Sequence, residues 1–252
     1  MTMSTTTALA GSFAAAVLLA ALHLAAPRIR SLPGVPESAT GSFAGGIAVA
    51  YVFLHLLPEV AAGNAAIGEL LGDVVEVTPL FDLAIFAVAL AGFAVFYGLE
   101  RLAGRTRPGA EPGAWVYRLH LGAFCGYNAL ITYTMPLRLR TGIAFAVLFT
   151  IAMGLHFVLT DRGLREHYPR RFAATGRFAL ALALLFGWVL SALLAPAGVV
   201  VVSVLVALLS GSVLLNVFKE ELPAGARSRF GWFLTGLLLY GGLLTGVTAL
   251  GG

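Results

Sequence analysis

Eight runs of about twenty mostly apolar residues take up nearly the whole chain: 7–26, 41–61, 80–103, 114–136, 141–161, 176–195, 197–218 and 230–250. A run of that length spans the hydrocarbon core of a bilayer when it is helical. Lipid offers no partner to a backbone N–H or C=O, so a single apolar segment has to be a helix. The pattern predicts an all-α polytopic membrane protein, with residues 1–252 forming one transmembrane domain. Only 11% of the residues are charged and 59% are hydrophobic, whereas a soluble domain carries about 25% charged residues. That excludes a soluble enzyme, a disordered chain and a disulfide scaffold, the last also because Cys125 is the only cysteine. The first run is read as a retained span rather than a cleaved leader. It has no Lys or Arg before Arg28 and outlasts a leader's apolar stretch.

The basic residues predict the orientation. Fourteen of the sixteen fall in alternate connections or at their edges, from Arg28 and Arg30 to Lys219, Arg227 and Arg229; only Arg138 and Arg140 lie on the other side. Basic connections stay in the cytoplasm, so both termini are expected outside and the chain in the cytoplasmic (inner) membrane. Arginine placed in this way is a topology signal and implies no nucleic-acid partner; the bilayer is the expected environment. The longest connection, 62–79, is expected to be an acidic outer loop carrying Glu69, Asp73 and Glu76.

An internal repeat joins the second and seventh runs. Gly46–Pro58 (GIAVAYVFLHLLP) and Gly211–Pro223 (GSVLLNVFKEELP) share five identities without a gap: Gly46/Gly211, Val52/Val217, Phe53/Phe218, Leu57/Leu222 and Pro58/Pro223. The two helices run in opposite directions under the predicted orientation, which is the pattern of an inverted repeat. Chance similarity of small-residue and Leu/Val-rich helices is the competing explanation.

Ionisable and polar groups inside a span cost about 2.5–3.5 kcal/mol on insertion scales and need a reason to be there. His55 and Glu59 share a face of the second run, placed either to share a cation or to mark where the helix leaves the lipid. Tyr127 and Asn128 lie in a polar stretch of the fourth run with Cys125, Thr132 and Tyr133; the default role for such an Asn is a bond to another helix. His156, Thr160 and Asp161 follow one another down the fifth run, and His156 is a candidate metal ligand or proton relay. Asn216, Glu220 and Glu221 crowd the inner end of the seventh beside Lys219, as self-paired charges or as the lining of an inner mouth. The common hydrolase, nucleotide and zinc-protease motifs are missing, so the chain is read as a non-enzyme.

Phe43–Glu59, ending HLLPE, resembles the second helix of the ZIP (Zrt/Irt-like) metal transporters, and LLSGSVLLNVFKEELP is similar to their seventh. The resemblance covers most of the chain. It implies eight helices in a 3+2+3 inverted-repeat arrangement and transport of a divalent transition-metal cation such as zinc, carried as substrate rather than as resident cofactor. The central helices depart from the family pattern. Asn128 and His156 match metal-binding positions and Asp161 matches the last acid, but Tyr127, Ile131, Phe157 and Thr160 replace ligands. Metal ligation is thereby expected of Asn128, His156 and Asp161, completed by Cys125, His55 or Glu220 for a single site, with His55, Glu59, Tyr127, Thr160, Asn216, Glu220 and Glu221 along a path. The alternative is a ZIP-like protein without metal transport, serving as an accessory or structural subunit, as a homodimer or in a larger membrane complex.

Overall fold

A computed structural model of the chain describes residues 3–29, 31–71, 79–103, 112–194, 198–222 and 228–250. These are helical almost throughout, with no strand among the described residues. Helix α1 (Thr5–Ala25) starts at Ser4, whose hydroxyl accepts from the Thr7 amide, and closes with a 3-10 turn at Ala26–Arg28. Helix α2 (Glu37–Tyr51) passes through a π turn, Val52–Leu56, straight into α3 (Leu57–Leu71). Helices α4 (Pro79–Ala103), α5 (Ala114–Thr141) and α6 (Ile143–His167) follow. The short α7 (Pro169–Arg171) leads through a second π turn, Phe172–Gly176, into α8 (Arg177–Leu193). Helix α9 (Val199–Asn216) ends in a third, Val217–Glu221, and α10 (Phe230–Ala249) completes the chain.

Seven helical stretches are long and apolar enough to cross a bilayer. The remaining long helix, α5, has the length but carries Arg118, Arg138 and Arg140 besides its Tyr, Asn and Thr residues. Its polarity follows from its position: His120, Tyr127, Asn128, Thr132 and Thr134 are buried against other helices. Large apolar side chains such as Leu83, Leu90, Leu182, Phe186, Leu238 and Leu243 are exposed instead, an outer surface suited to lipid. The chain is a multi-pass, helical membrane protein.

Two connections differ from the sequence reading. Helix α3 runs ten residues beyond the expected end of the second span, so Glu69 stands on a helix rather than in a loop. Nothing in VAAGNAAIGELL breaks the helical ladder, and Val60 and Ile67 gain burial against Ile85 of α4 and Ala207 of α9. Asp73 and Glu76 lie outside the described residues. Helices α5 and α6 meet at Gly142 alone, whose amide donates to the Arg138 carbonyl and whose carbonyl accepts from Ala146. Arg138 and Arg140 therefore belong to the last turn of α5.

Close packing is set by glycine. A Cβ built on Gly46 (α2) would strike the Phe233 carbonyl oxygen of α10, and one on Gly236 would strike that of Phe43. On the other side, Gly211 (α9) faces the Ala89 carbonyl of α4, and Gly92 faces that of Leu208. Small residues allow helices to approach in lipid, where dispersion rather than the hydrophobic effect holds them. The two contacts map onto each other residue for residue, with Phe43 and Gly46 corresponding to Leu208 and Gly211, and Ala89 and Gly92 to Phe233 and Gly236. The π turns at Val52 and Val217 begin at matching positions of the repeat, and its paired Phe53 and Phe218 touch, centroids 6.3 Å apart.

Polar contacts fasten the third close pair. Gly187 of α8 sits against the Ala129 carbonyl of α5, and Thr132 Oγ1 donates across to the Leu184 carbonyl at 2.7 Å. Trp188 Nε1 reaches back to α1, within 3.1 Å of both the Leu9 carbonyl and Ser12 Oγ. Such bonds are worth little in lipid because the unfolded reference state also finds partners. Trp188→Phe is therefore expected to cost only about 0.6 kcal/mol in unfolding titrations in mixed micelles.

Candidate functional site

The site is built on α5 and α6, which α1 and α8 flank at the arginine-rich end. Asp161 is buried on α6, and its partner is His23 of α1, also buried, whose Nδ1 lies 3.0 Å from both carboxylate oxygens. Asn128 Nδ2 is 2.9 Å from His23 Nε2 and 3.3 Å from the Leu180 carbonyl. An amide nitrogen only donates, so Nε2 of His23 is the acceptor, and the neutral ring carries its proton on Nδ1, directed at Asp161. Phe157 stacks on the ring at 4.6 Å and fixes its plane. The result is an Asn128–His23–Asp161 chain of hydrogen bonds across three helices. An imidazole and a carboxylate so joined share a proton, and both are of the chemical types that ligate a transition metal.

A cavity of about 620 Å³ reaches Asp161 from that end, between the turn after α1, the start of α2, α6 and the π turn before α8. Ile29, Phe172 and Ala173 form its apolar walls, and Glu37, Arg162, Arg165 and Arg177 line it too.

The opposite end is arranged differently. His55 and Glu59 do meet, 3.7 Å apart, but Arg138 of α5 lies across both. It is 3.0 Å from His55 Nε2 and 3.0 Å from the Glu59 carboxylate. Its guanidinium also lies 4.0 Å from the Phe149 ring centre. The pair expected to face a cation thus has a permanent one built in.

Between the two ends the bundle is filled. Tyr51, Tyr127, Ile131, Phe149, Met153 and Phe157 belong to one buried apolar cluster. His156 is buried beside it, its ring 5.6 Å from that of Tyr127, and Tyr127 donates to Met153 Sδ. Of the three expected metal ligands, Asn128 and Asp161 are brought together through His23, while His156 packs on Tyr127. Among the described residues there is no group of three or more His, Cys, Asp and Glu side chains able to hold a metal ion.

Thr160 and Asn216 line a small cavity of about 20 Å³ with Glu100, His120 and His167. Glu100 is buried there, 3.3 Å from His120 Nε2 and paired with Lys219, while His120 Nδ1 bonds Tyr168 at 3.1 Å. The Glu220 and Glu221 side chains lie outside the described residues.

Sequence reasoning missed His23, Glu100 and His120, and took Arg138 for a loop residue. The rule that an ionisable group in a span needs a reason applies to the first three as well. Each lies within a turn or two of a span end, where it passes for an interfacial residue. Comparison of the chain with models of known protein families and with curated proteins gives no match.

Proposed function

We propose that this protein is a ZIP-like carrier of the cytoplasmic membrane, both termini outside, that takes a single transition-metal cation such as zinc on Asp161 and His23. The carrying observation is that the large cavity ends on a buried carboxylate–imidazole pair while Arg138 bridges Glu59 and His55 at the other end. A smaller cavity of about 220 Å³ at the other end is lined by His55, Glu59 and Arg138, so the bridge stands where a second mouth would be, and two mouths that differ in this way suit alternating access. The matched glycine contacts, the matched π turns and the Phe53–Phe218 contact support an inverted 3+2+3 arrangement with α5 as a crossing helix. A two-metal load does not suit the chain: Ile131 and Phe157 stand at the positions where the family resemblance expects ligands, and both are buried in the apolar cluster.

Nδ1 of His23 ligates only after its proton moves to Nε2, with Asn128 turning its amide oxygen to accept it; protons and the cation then compete for the same pair, so uptake weakens as pH falls. Purified protein in a zinc titration with elemental analysis is expected to take up one zinc per chain. Asp161→Asn and His23→Ala are expected to weaken uptake by more than about tenfold, and His156→Ala much less. Absence of zinc from the unsubstituted protein, together with an unchanged unfolding midpoint on adding zinc, would overturn the carrier. That result would support the accessory-subunit reading.

A further inference from the structure

We propose that the cavity at the arginine-rich end is a binding site for a phosphate-bearing anion, either an anionic lipid headgroup or a free phosphate. Its cationic side chains outnumber its carboxylates, and the carboxylates do not neutralise them. Asp161 is taken by His23, and Glu37 makes no ion pair among the described residues. Arg162 is anchored on the Ile29 carbonyl at 2.6 Å. Arg165 and Arg177 make no ion pair among the described residues, and the buried Nε of Arg177 has no acceptor there. A carboxylate or phosphate satisfies such a fork bidentately, which an ammonium or a neutral ligand cannot do.

The surroundings specify the ligand further. At about 620 Å³ the space exceeds what an inorganic ion needs and falls within the range of organic-ligand pockets. Its walls combine the guanidinium groups with Ile29, Phe172 and Ala173, an amphipathic lining that fits a headgroup with the start of its acyl chains. Phe172 and Ala173 belong to the π turn Phe172–Gly176 that opens into α8; such turns occur disproportionately at functional sites. Basic pockets between helices on the cytoplasmic side bind acidic headgroups, because each Lys or Arg gains attraction from the anionic leaflet. The headgroup arm rests on the proposed orientation but not on any cation at Asp161, since the anion would be held by α6 and α8 arginines at the mouth.

The full-length protein is placed in nanodiscs of phosphatidylcholine alone or of phosphatidylcholine with phosphatidylglycerol, and retained lipid is read by native mass spectrometry after release. Inorganic phosphate is titrated in parallel against the unfolding midpoint in pure phosphatidylcholine. Retained phosphatidylglycerol without a response to phosphate identifies a lipid headgroup; a rise of the midpoint with phosphate identifies a free anion. Either supports the site if Arg165→Gln and Arg177→Gln each weaken the effect about fivefold. Arg165 is solvent-exposed, so its variant remains a test if Arg177→Gln does not fold. Asp161→Asn is expected to keep the anion while losing zinc, which separates this inference from the carrier reading. No response to either probe, or an undiminished response in both arginine variants, overturns it.

Discussion

Gly46→Val and Gly211→Val are each expected to leave little folded protein in the membrane. The new Cβ at Gly46 meets the Phe233 carbonyl oxygen first and the Leu237 nitrogen at 2.8 Å; at Gly211 it meets the Ala89 carbonyl and the Phe93 nitrogen. These neighbours are backbone atoms inside helices, so no rotamer change relieves the clash and the helices must part. Separation removes van der Waals contact along the whole of α2–α10 or α4–α9, the chief attraction between helices in lipid. Overpacking of this kind costs about 3 kcal/mol or more, a large share of a total stability of about 5–15 kcal/mol. The measurement is the yield of monodisperse protein after extraction, followed by unfolding in mixed micelles. Gly242→Ala on α10 is the control: nothing lies within 4 Å of its Cβ, and it is expected to gain up to about 1 kcal/mol from helix propensity. Equal yields for Gly46→Val and Gly242→Ala would show that the α2–α10 contact does not hold the fold.

Arg138→Ala is the second large effect, and its size depends on solvation. Breaking a fully buried ion pair costs about 3–5 kcal/mol because the remaining charge is stranded. Glu59, at 30% exposed, still reaches water, which lowers the expected cost to about 2 kcal/mol. Part of that is the lost stacking of the guanidinium on Phe149. Arg138→Met combined with Glu59→Gln is expected to restore most of the loss, since no charge is then stranded. A double-mutant cycle in reversible unfolding separates the pair from the packing. The same variant tests the latch of the proposed carrier: without the guanidinium His55 and Glu59 lose their fixed cation, and, if the proposed function holds, zinc entry into reconstituted vesicles is expected to rise. An Arg138→Ala protein with native stability and native zinc flux would show that the bridge neither holds nor closes this end.

Much of the architecture was legible from the chain alone. The apolar runs coincide with helices α1, α4, α9 and α10 to within a few residues, while α6 runs six residues beyond its run, to His167. Gly46 and Gly211, identical where the two runs are aligned, each admit a neighbouring carbonyl. The extension of α3 and the one-residue turn at Gly142 were not legible. A helix end has no hydropathy signature when the residues beyond it are also helix formers, and Arg138 reads as a loop residue until its partners are known.

The candidate site divides the same way. Asn128 and Asp161 stood out because a polar group in an apolar run is conspicuous from its immediate neighbours. Their partner His23 is 138 residues from Asp161 in sequence, and Arg138 is 79 from Glu59; no local pattern encodes either meeting. By itself the sequence determined that the chain is helical and lives in lipid, and which side chains would be costly there, because transfer energy belongs to each segment separately. Only the tertiary structure decided how those costs are met: Asp161 by a histidine from α1, Glu59 by an arginine from α5, Glu100 by Lys219 and His120. Those pairings depend on which helix faces come into contact, and that is set by glycine-allowed approach and packing shape between segments far apart in the chain.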